Sequence, residues 1–288
     1  MLRKTKIIAT LGPATEGREE IDGLIEAGAS IFRLNMSHAS HEWTRAVAAG
    51  VRERAASLGI EVALLMDLQG PAIRTGELAA AVDLETGDHL EIRRADAEPG
   101  GGFSTTVNYN GLMDDVSAGD RMLVDNGVLQ LRVVTVAPDR IGCEVLTAGT
   151  LGSRRHINLP GVKINLPALS AKDRLDLELA IELEADFVAM SFVRDAGAVE
   201  ELGALLRERG SRARIVAKIE DQEAVRNLDE IIVASNAVMV ARGDLGIEVN
   251  IEELPIIQRL IVKRCARLGR KVIVATHLLE SMIDNPIP

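Results

Sequence analysis

The feature that most restricts the fold of this chain is an alternation of short apolar runs with amphipathic stretches. The runs are rich in Val, Ile and Ala, which is typical of strands buried on both faces. The stretches between them have helical spacing; Ala198–Arg209, for example, places Val199, Leu202 and Leu206 on one face. Strand–helix–strand order produces parallel strands, and so many units favour a barrel. The predicted strands are Lys6–Thr10, Ser30–Leu34, Val62–Met66, Phe187–Met190, Arg214–Ala217, Ala237–Ala241 and Lys271–Ala275.

Residues 76–158 have a different pattern, in which short alternating runs are separated by Gly and Asp. Asn126-Gly127 lies between the runs Arg121–Val124 and Val128–Val136, and Asn-Gly in that setting is a strong hairpin signal. We therefore predict a small antiparallel β-barrel domain inserted between two parts of the main barrel, residues 1–75 (strands one to three) and 159–288 (strands four to seven). The insert could be a decoration or a lid that excludes water from the strand ends.

Composition excludes several classes of protein. The chain has 33 basic and 43 acidic residues, a net charge of −10, and 2% aromatic residues, which argues against a nucleic-acid partner. No apolar run approaches the roughly 18 residues of a membrane span. The N-terminal residues Met1–Lys6 lack the apolar core of a signal peptide, and two cysteines are too few for a disulfide framework. We expect a cytoplasmic protein without a membrane partner.

Polar or ionic residues stand at the end of each predicted strand, where a parallel barrel has its active-site face. Lys218 and Glu220 are two residues apart on an extended segment and should point the same way, and we expect Arg242 and Asp244 to repeat that relation. Such a mixture of charges is costly to bury unless it binds something. The strand-end residues are Thr10, Asn35, Asp67, Ser191, Lys218, Arg242 and Thr276.

Two of these acidic residues suggest metal chemistry. Glu220 and Asp244 have no Cys or His pair nearby, so they suit a hard divalent ion, Mg²⁺ or Mn²⁺; a solvated charge pair is the alternative. Gly243 and Gly246 allow the backbone around Asp244 to approach an anion closely. The ammonium of Lys218 could stabilise a transferring phosphoryl group or an enolate. A Schiff-base role is the rival interpretation, against which the neighbouring Glu220 argues mildly.

Other strand-end residues suggest anion and cation binding. Arg33 and Arg74 are candidate phosphate anchors. Asn35, Ser37 and Asp67 offer oxygens that would suit a monovalent cation.

These residues stand in segments that resemble the pyruvate kinase family over nearly the whole chain. The most specific are Ala217–Glu220 and Met239–Gly246. The other matching segments are Thr5–Ala14, Arg33–His38, Asp67–Pro71, Ile73–Gly76, Asn158–Gly161, Ser191–Arg194, Ala275–Thr276 and Leu279–Met282. The resemblance implies a TIM-type (β/α) barrel with an inserted β-barrel lid, and transfer of the phosphoryl group of phosphoenolpyruvate to ADP, giving pyruvate and ATP. It also implies a Mg²⁺ or Mn²⁺ cofactor, K⁺ as a possible second ion, and a homo-oligomer, which is a homotetramer in the family.

The resemblance also implies roles for individual residues. Glu220 and Asp244 match the Mg²⁺ ligands, and Lys218 and Arg33 match the catalytic groups that contact the phosphoryl oxygens. Thr276, a further catalytic residue, matches the substrate-carboxylate site together with the amides of Gly243 and Asp244. The residues that match the potassium site are Asn35, Ser37, Asp67 and the carbonyl of Leu68. The residues that match nucleotide contacts are Arg74, Asn35, His38 and Arg155.

The chain departs from the family pattern in three ways: at position 72, at Gln69 and His277, which differ from the residues of many members, and at its end. Ala72 stands where potassium-dependent members have Glu and potassium-independent members have Lys, so the cation requirement is open. The sequence also stops at Pro288, before the eighth strand and the C-terminal regulatory domain of the family, so we expect a barrel that is incomplete at its C-terminal end.

Two alternatives to the full reaction remain open. The first is a non-catalytic or truncated fragment that binds divalent metal and a small carboxylate without turnover. The second is another metal-dependent enzyme of the phosphoenolpyruvate/pyruvate barrel superfamily, such as an aldolase. The predicted lid and the segment Ala217–Glu220 argue against the aldolase.

Overall fold

The computed structural model of the chain describes residues 5–97, 101–276, 282 and 284–286. The strands, in chain order, are β1 (Ile7–Thr10), β2 (Ala29–Asn35), β3 (Ala63–Asp67), β4 (Val82–Leu84), β5 (His89–Arg94), β6 (Phe103–Val107), β7 (Arg121–Val124), β8 (Leu129–Ala137), β9 (Arg140–Val145), β10 (Gly149–Leu151), β11 (Ile157–Asn158), β12 (Phe187–Met190), β13 (Arg214–Ile219), β14 (Ala237–Ala241) and β15 (Lys271–Ala275). The helices are α1 (Arg18–Ala27), α2 (His41–Leu58), α3 (Leu112–Asp115), α4 (Ala171–Glu182), α5 (Ala196–Glu208), α6 (Gln222–Arg226), α7 (Leu228–Ala234), α8 (Arg242–Glu248) and α9 (Leu254–Arg267).

The main sheet contains the seven strands that the apolar runs predict. Its order is β1-β2-β3-β12-β13-β14-β15, and every neighbouring pair is parallel. Helices connect the strands outside the β4–β11 insert, so the predicted α/β fold is confirmed. Among the described residues, β1 and β15 each pair along one side only. The strand β13 continues to Ile219, two residues beyond the prediction, which places Lys218 within the strand.

The alternation of side chains along these strands creates two separate apolar layers. On β3, Leu64 belongs to the core between sheet and helices, whereas Leu65 belongs to a smaller cluster on the opposite face. On β13, Ala217 and Val216 divide in the same way. Because side chains repeat every second residue, the face that holds Leu65 and Val216 also holds the polar residues at the ends of these strands.

Strands β4 to β11 form two further sheets with their own apolar core. A six-stranded sheet has the order β11-β7-β8-β9-β5-β6, and β10 pairs with β4. The hairpin predicted at Asn126-Gly127 is confirmed, since β7 and β8 are antiparallel and Asp125, Asn126 and Gly127 all have positive φ. One pair differs from the antiparallel expectation: β5 and β6 are parallel, which requires a connection that returns along the strand instead of a tight turn. The boundaries 1–75, 76–158 and 159–288 stay predictions.

The helices of the described residues include none with the combination of length and apolar character that a bilayer crossing requires.

Candidate active site

Three charged side chains lie on the inner face of the parallel sheet, at the carboxyl ends of its strands. Arg33 of β2 contacts Asp67 of β3 through two guanidinium nitrogens, with Nε 2.6 Å and Nη2 2.5 Å from Oδ2. The other carboxylate oxygen of Asp67, Oδ1, lies 3.3 Å from Nζ of Lys218 on β13. Thr10 of β1 accepts a hydrogen bond from Arg33 Nη1 at 3.1 Å. Strands that are distant in sequence therefore bring two cations around one buried carboxylate.

Lys218 is the centre of this cluster and is 8% exposed. Its Nζ lies 2.8 Å from Oε1 of Glu220, as expected for residues two apart on a strand. It also donates a hydrogen bond of 2.7 Å to the hydroxyl of Ser191, which in turn donates to the carbonyl of Leu68 at 2.8 Å. Three polar neighbours thus fix the ammonium in position at the carboxyl ends of the strands.

Burial and charge act in opposite directions on Lys218 and Glu220. Burial disfavours the ammonium, but Glu220 and Asp67 outweigh it and raise the pKa of Lys218 above its usual value. Lys218 is therefore cationic at neutral pH, which argues against the Schiff-base interpretation because that chemistry needs a free amine. Burial raises the pKa of Glu220 to about 7, although Lys218 lowers it.

The expectation that Arg242 and Asp244 point the same way is wrong. Helix α8 begins at Arg242, directly after β14, so these residues follow the helical period of 3.6 and not the strand period of two. Two residues apart on a helix, their side chains diverge by about 200°. Asp244 lines the same cavity as Lys218 and Glu220, whereas Arg242 is not among the lining residues that the structure describes.

The cavity over this cluster has a volume of about 350 Å³ and collects most of the predicted site residues. Those that line it are Arg33, Asn35, Ser37, His38, Arg74, Arg155, Lys218, Glu220 and Asp244. Asp67 and Leu68 are buried next to it, at 1% exposure each. Thr276 has a φ of 69° and lies beside Gly243, where a Cβ atom would be 3.1 Å from Thr276 Cγ2. Of the motif at 279–282, Leu279, Glu280 and Ser281 lie outside the described residues, as does His277.

The sequence did not identify several residues of this cavity. Asp125 and Asn126 come from the β7–β8 hairpin tip, and Arg154 and His156 come from the chain that returns from the β sheets. The Asn-Gly signal located the hairpin but not the direction of its tip. The inserted segment therefore supplies part of the cavity wall. A decoration without a function at the site would not need to do so.

Phe192 is a further residue that sequence reasoning missed. Its backbone N–H donates a 2.6 Å hydrogen bond to Oε2 of Glu220, and its φ is 53°, in the left-handed region. Its ring lies 5.9 Å, centroid to centroid, from that of His156. A strained backbone at a bulky residue is typical of functional sites, but no local sequence pattern reveals it.

Gly70 gives a stability prediction, since the left-handed backbone there abuts the loop that holds Glu220. Its φ is 76°, and a Cβ atom would lie 2.8 Å from Ser191 Cβ and 2.9 Å from the Phe192 ring. We expect Gly70→Ala to lower the free energy of unfolding by about 3 kcal/mol, combining backbone strain and overpacking. Urea denaturation measures this. Gly59→Ala is the control: its φ is 66° but nothing lies within 4 Å, so a loss of about 1 kcal/mol is expected. Equal losses would contradict the steric argument.

A second buried carboxyl group lies at the far end of α8. Glu248 is 8% exposed, and its Oε1 accepts a 2.9 Å hydrogen bond from the side-chain amide of Asn158. Burial raises the pKa of Glu248 to about 7, although the amide of Asn158 lowers it. Its folded-state pKa therefore lies above the value of about 4.3 for an unfolded chain.

This difference in pKa predicts a pH dependence of stability. The contribution of Glu248 is fully present below pH 4.3 and is lost as the pH rises through 7, because the folded protein must then hold a buried charge. The neutral variant Glu248→Gln does not titrate. We expect the stability of the variant relative to the parent to improve by about 2–3 kcal/mol between pH 4.5 and pH 8. Urea unfolding across that range measures it, and a pH-independent difference would contradict the prediction.

The family model, the curated relatives and the solved structure that match this chain are all pyruvate kinases. The family described as "Pyruvate kinase, barrel domain" matches residues 2–288. Pyruvate kinase from Geobacillus stearothermophilus is 44% identical, over 100% of this chain and 50% of its own length. Pyruvate kinase from Dictyostelium discoideum is 40% identical, over 99% of this chain and 57% of its own. A solved pyruvate kinase from Cryptosporidium parvum superimposes with a TM-score of 0.93 at 36% identity, covering 98% of this chain and 59% of that one. The chain thus spans about half the length of the curated relatives that it matches.

Proposed function

Because the chain belongs to the pyruvate kinase family, we propose that its site transfers the phosphoryl group of phosphoenolpyruvate to ADP, giving pyruvate and ATP. The observation that carries this proposal is the buried Lys218 ammonium, held cationic between Glu220 and Asp67 at the base of an arginine-lined cavity. Phosphoryl transfer needs positioning and charge neutralisation more than covalent help from the protein. A fixed cation, buried at the base of the cavity, supplies both.

We assign the substrate contacts by position in the cavity. Lys218 and Arg33 neutralise the phosphoryl oxygens, and Lys218 also stabilises the enolate that remains when the phosphoryl group leaves. Thr276 and the amides of Gly243 and Asp244 bind the substrate carboxylate; the position of Thr276 beside Gly243, the residue before the cavity-lining Asp244, supports this grouping. The residues proposed for the nucleotide are Arg74, Asn35, His38 and Arg155, and all four line the cavity.

The acidic residues fit a divalent cation, in agreement with the family. Oε1 of Glu220 is buried and has no hydrogen-bond partner among the described residues: its contact with Lys218 is an ion pair without the directed geometry of a hydrogen bond. Asp244 lines the same cavity. We propose that Glu220 and Asp244 hold Mg²⁺ or Mn²⁺, which when bound neutralises charge on the phosphoryl oxygens. No cluster of three or more candidate ligand side chains occurs in the described ranges, so a bound ion would need waters and substrate oxygens as its remaining ligands.

The residues that match the potassium site fit a monovalent cation less well. Oδ2 of Asp67 is already paired with Arg33, and Oδ1, which has no hydrogen-bond partner among the described residues, lies 3.3 Å from the Lys218 ammonium, whose positive charge would repel a cation there. The carbonyl of Leu68 accepts the Ser191 hydroxyl, and the side chain of Asn35 accepts the N–H of Ser37 at 3.2 Å. With Ala72 adding no charge, we propose that K⁺ binds weakly at Asn35, Ser37, Asp67 and Leu68.

The decisive experiment measures pyruvate formation in an assay coupled to lactate dehydrogenase. The chain is tested alone and with the C-terminal half of the Geobacillus stearothermophilus relative, in Mg²⁺ with either K⁺ or Na⁺. We expect turnover in the complemented sample, with less than a tenfold difference between K⁺ and Na⁺. A folded, associated pair that binds Mg²⁺ and oxalate but never forms pyruvate would favour the non-catalytic alternative.

The location and the oligomeric state are proposed from the family alone. We propose a cytoplasmic homo-oligomer, a homotetramer by analogy with the family, although one similar relative is named a plastidial pyruvate kinase.

A further inference from the structure

We propose that Glu248 is a positioning residue that sets the separation between Glu220 and Asp244, the two groups assigned above to the divalent ion. The inference rests on the proposed function, because it concerns the same metal site. It depends on contacts at the opposite end of α8 from the cavity, where three segments that are far apart in sequence meet on this one residue.

Each contact of Glu248 joins α8 to a different segment. Its carboxylate accepts a 2.9 Å hydrogen bond from the side chain of Asn158 on β11. Its backbone carbonyl accepts a 2.5 Å hydrogen bond from the side-chain amide of Gln222. The first contact ties α8 to the chain that returns from the inserted sheets, and the second ties it to the start of α6.

These contacts connect the segments that carry the two acidic residues of the cavity, Glu220 and Asp244. Gln222 follows Glu220 by two residues, across the turn that joins β13 to α6. Asp244 precedes Glu248 by four residues on α8, so the two lie on the same side of the helix about 6 Å apart along its axis. Helix α8 has seven residues, so about one turn of hydrogen-bonded backbone separates Asp244 from Glu248. Releasing its last residue would therefore change the position of Asp244 relative to Glu220.

Packing alone does not explain why a polar pair, Asn158 and Glu248, is buried between β11 and α8. Asn158 is 4% exposed and Glu248 8%, and Oδ1 of Asn158 has no hydrogen-bond partner among the described residues. A buried carboxyl and a half-satisfied amide cost free energy that an apolar pair of similar volume would avoid. Because a hydrogen bond is directional, the polar pair favours one arrangement of α8 relative to β11 over the others.

The test compares Mn²⁺ dissociation constants, measured by electron paramagnetic resonance titration of the chain. We expect Asn158→Leu and Asn158→Asp to weaken Mn²⁺ binding at least tenfold, as loss of a group that orients a ligand generally does. Glu248→Gln keeps an acceptor for Asn158 and should stay within threefold of the parent. The double variant Asn158→Asp with Glu248→Gln restores an amide–carboxylate pair with reversed polarity, and it should recover most of the affinity that Asn158→Asp loses.

A matched control separates this role from a general loss of stability. Asn165 also donates its side-chain amide to a carboxylate, Asp115, at 2.6 Å, and its backbone N–H donates to the same carboxylate, so its hydrogen bonds go to Asp115 and not to α8. Asn165→Leu should leave Mn²⁺ binding unchanged, and circular dichroism verifies that each variant is folded.

The outcomes distinguish this inference from the proposed function. If Glu220→Gln and Asp244→Asn abolish Mn²⁺ binding while Asn158→Leu does not change it, the inference is overturned and the metal assignment stands. If Glu220→Gln and Asp244→Asn leave binding intact, the metal assignment fails and the inference falls with it. Failure of the double variant to recover affinity, with its fold preserved, also overturns the inference.

Discussion

Replacing Lys218 with methionine should reduce the rate of pyruvate formation by at least about 1,000-fold, or about 4 kcal/mol of transition-state stabilisation. Methionine fills a similar volume but carries no charge, so the phosphoryl oxygens and the enolate lose their fixed cation. The fold should survive the change. Asp67 keeps its contact with Arg33, and Glu220, with a pKa of about 7, can take up a proton once its partner is gone.

The measurement is the coupled assay in the complemented sample, with thermal unfolding as the test of folding. Lys263→Met is a suitable control, because Lys263 is exposed on α9 and is not among the residues that line the cavity. It should retain full activity. If Lys218→Met were folded and lost less than tenfold in rate, the assignment of Lys218 to the reacting phosphoryl group would be wrong.

The inner-face cluster could be predicted from sequence because it depends on local periodicity. Parallel strands end at one edge, and the period of two places Lys218 on the same face as Val216 and close to Glu220. The same reasoning puts Asp67 on the face of Leu65. These relations need only the identification of each strand, and the apolar runs supply that.

The direction of Asp244 could not be predicted in that way, because β14 passes into α8 without a linker. No proline or polar loop marks the change at Arg242, and Gly243 and Gly246 are residues that disfavour a helix. Packing against the rest of the barrel overrides that local preference. An argument from strand periodicity therefore places Asp244 near the site correctly but gives Arg242 the wrong orientation.

The contribution of the inserted sheets was also beyond local reasoning. Asp125 and His156 reach the cavity through the tertiary arrangement of β7, β8 and the returning chain, and nothing in their own segments shows which surface they face. The unusual φ of Phe192 is a similar case, because the residue type gives no warning of it. Both features depend on contacts between segments that are distant in sequence, and these contacts cannot be inferred from one sequence.

Replacing Glu220 with glutamine should weaken Mn²⁺ binding by at least about 100-fold, equivalent to about 2.7 kcal/mol. The amide keeps the shape of the side chain and can still accept the N–H of Phe192, but it removes the charge that a hard divalent ion requires. Isothermal titration with Mn²⁺ measures the loss. Glu182→Gln is the control, since Glu182 pairs with Arg45 on the surface, and binding by that variant should equal that of the parent.

The raised pKa of Glu220 gives this prediction a second, independent signature. Protons compete with the metal for the carboxylate, so Mn²⁺ affinity should increase as the pH rises from 6 to 8, through the pKa of about 7. Above that range the carboxylate is ionised and the affinity should level off. Glu220→Gln should abolish the pH dependence together with most of the affinity. A variant that bound weakly but kept the same pH profile would show that another group titrates, and the assignment of the pH dependence to Glu220 would be wrong.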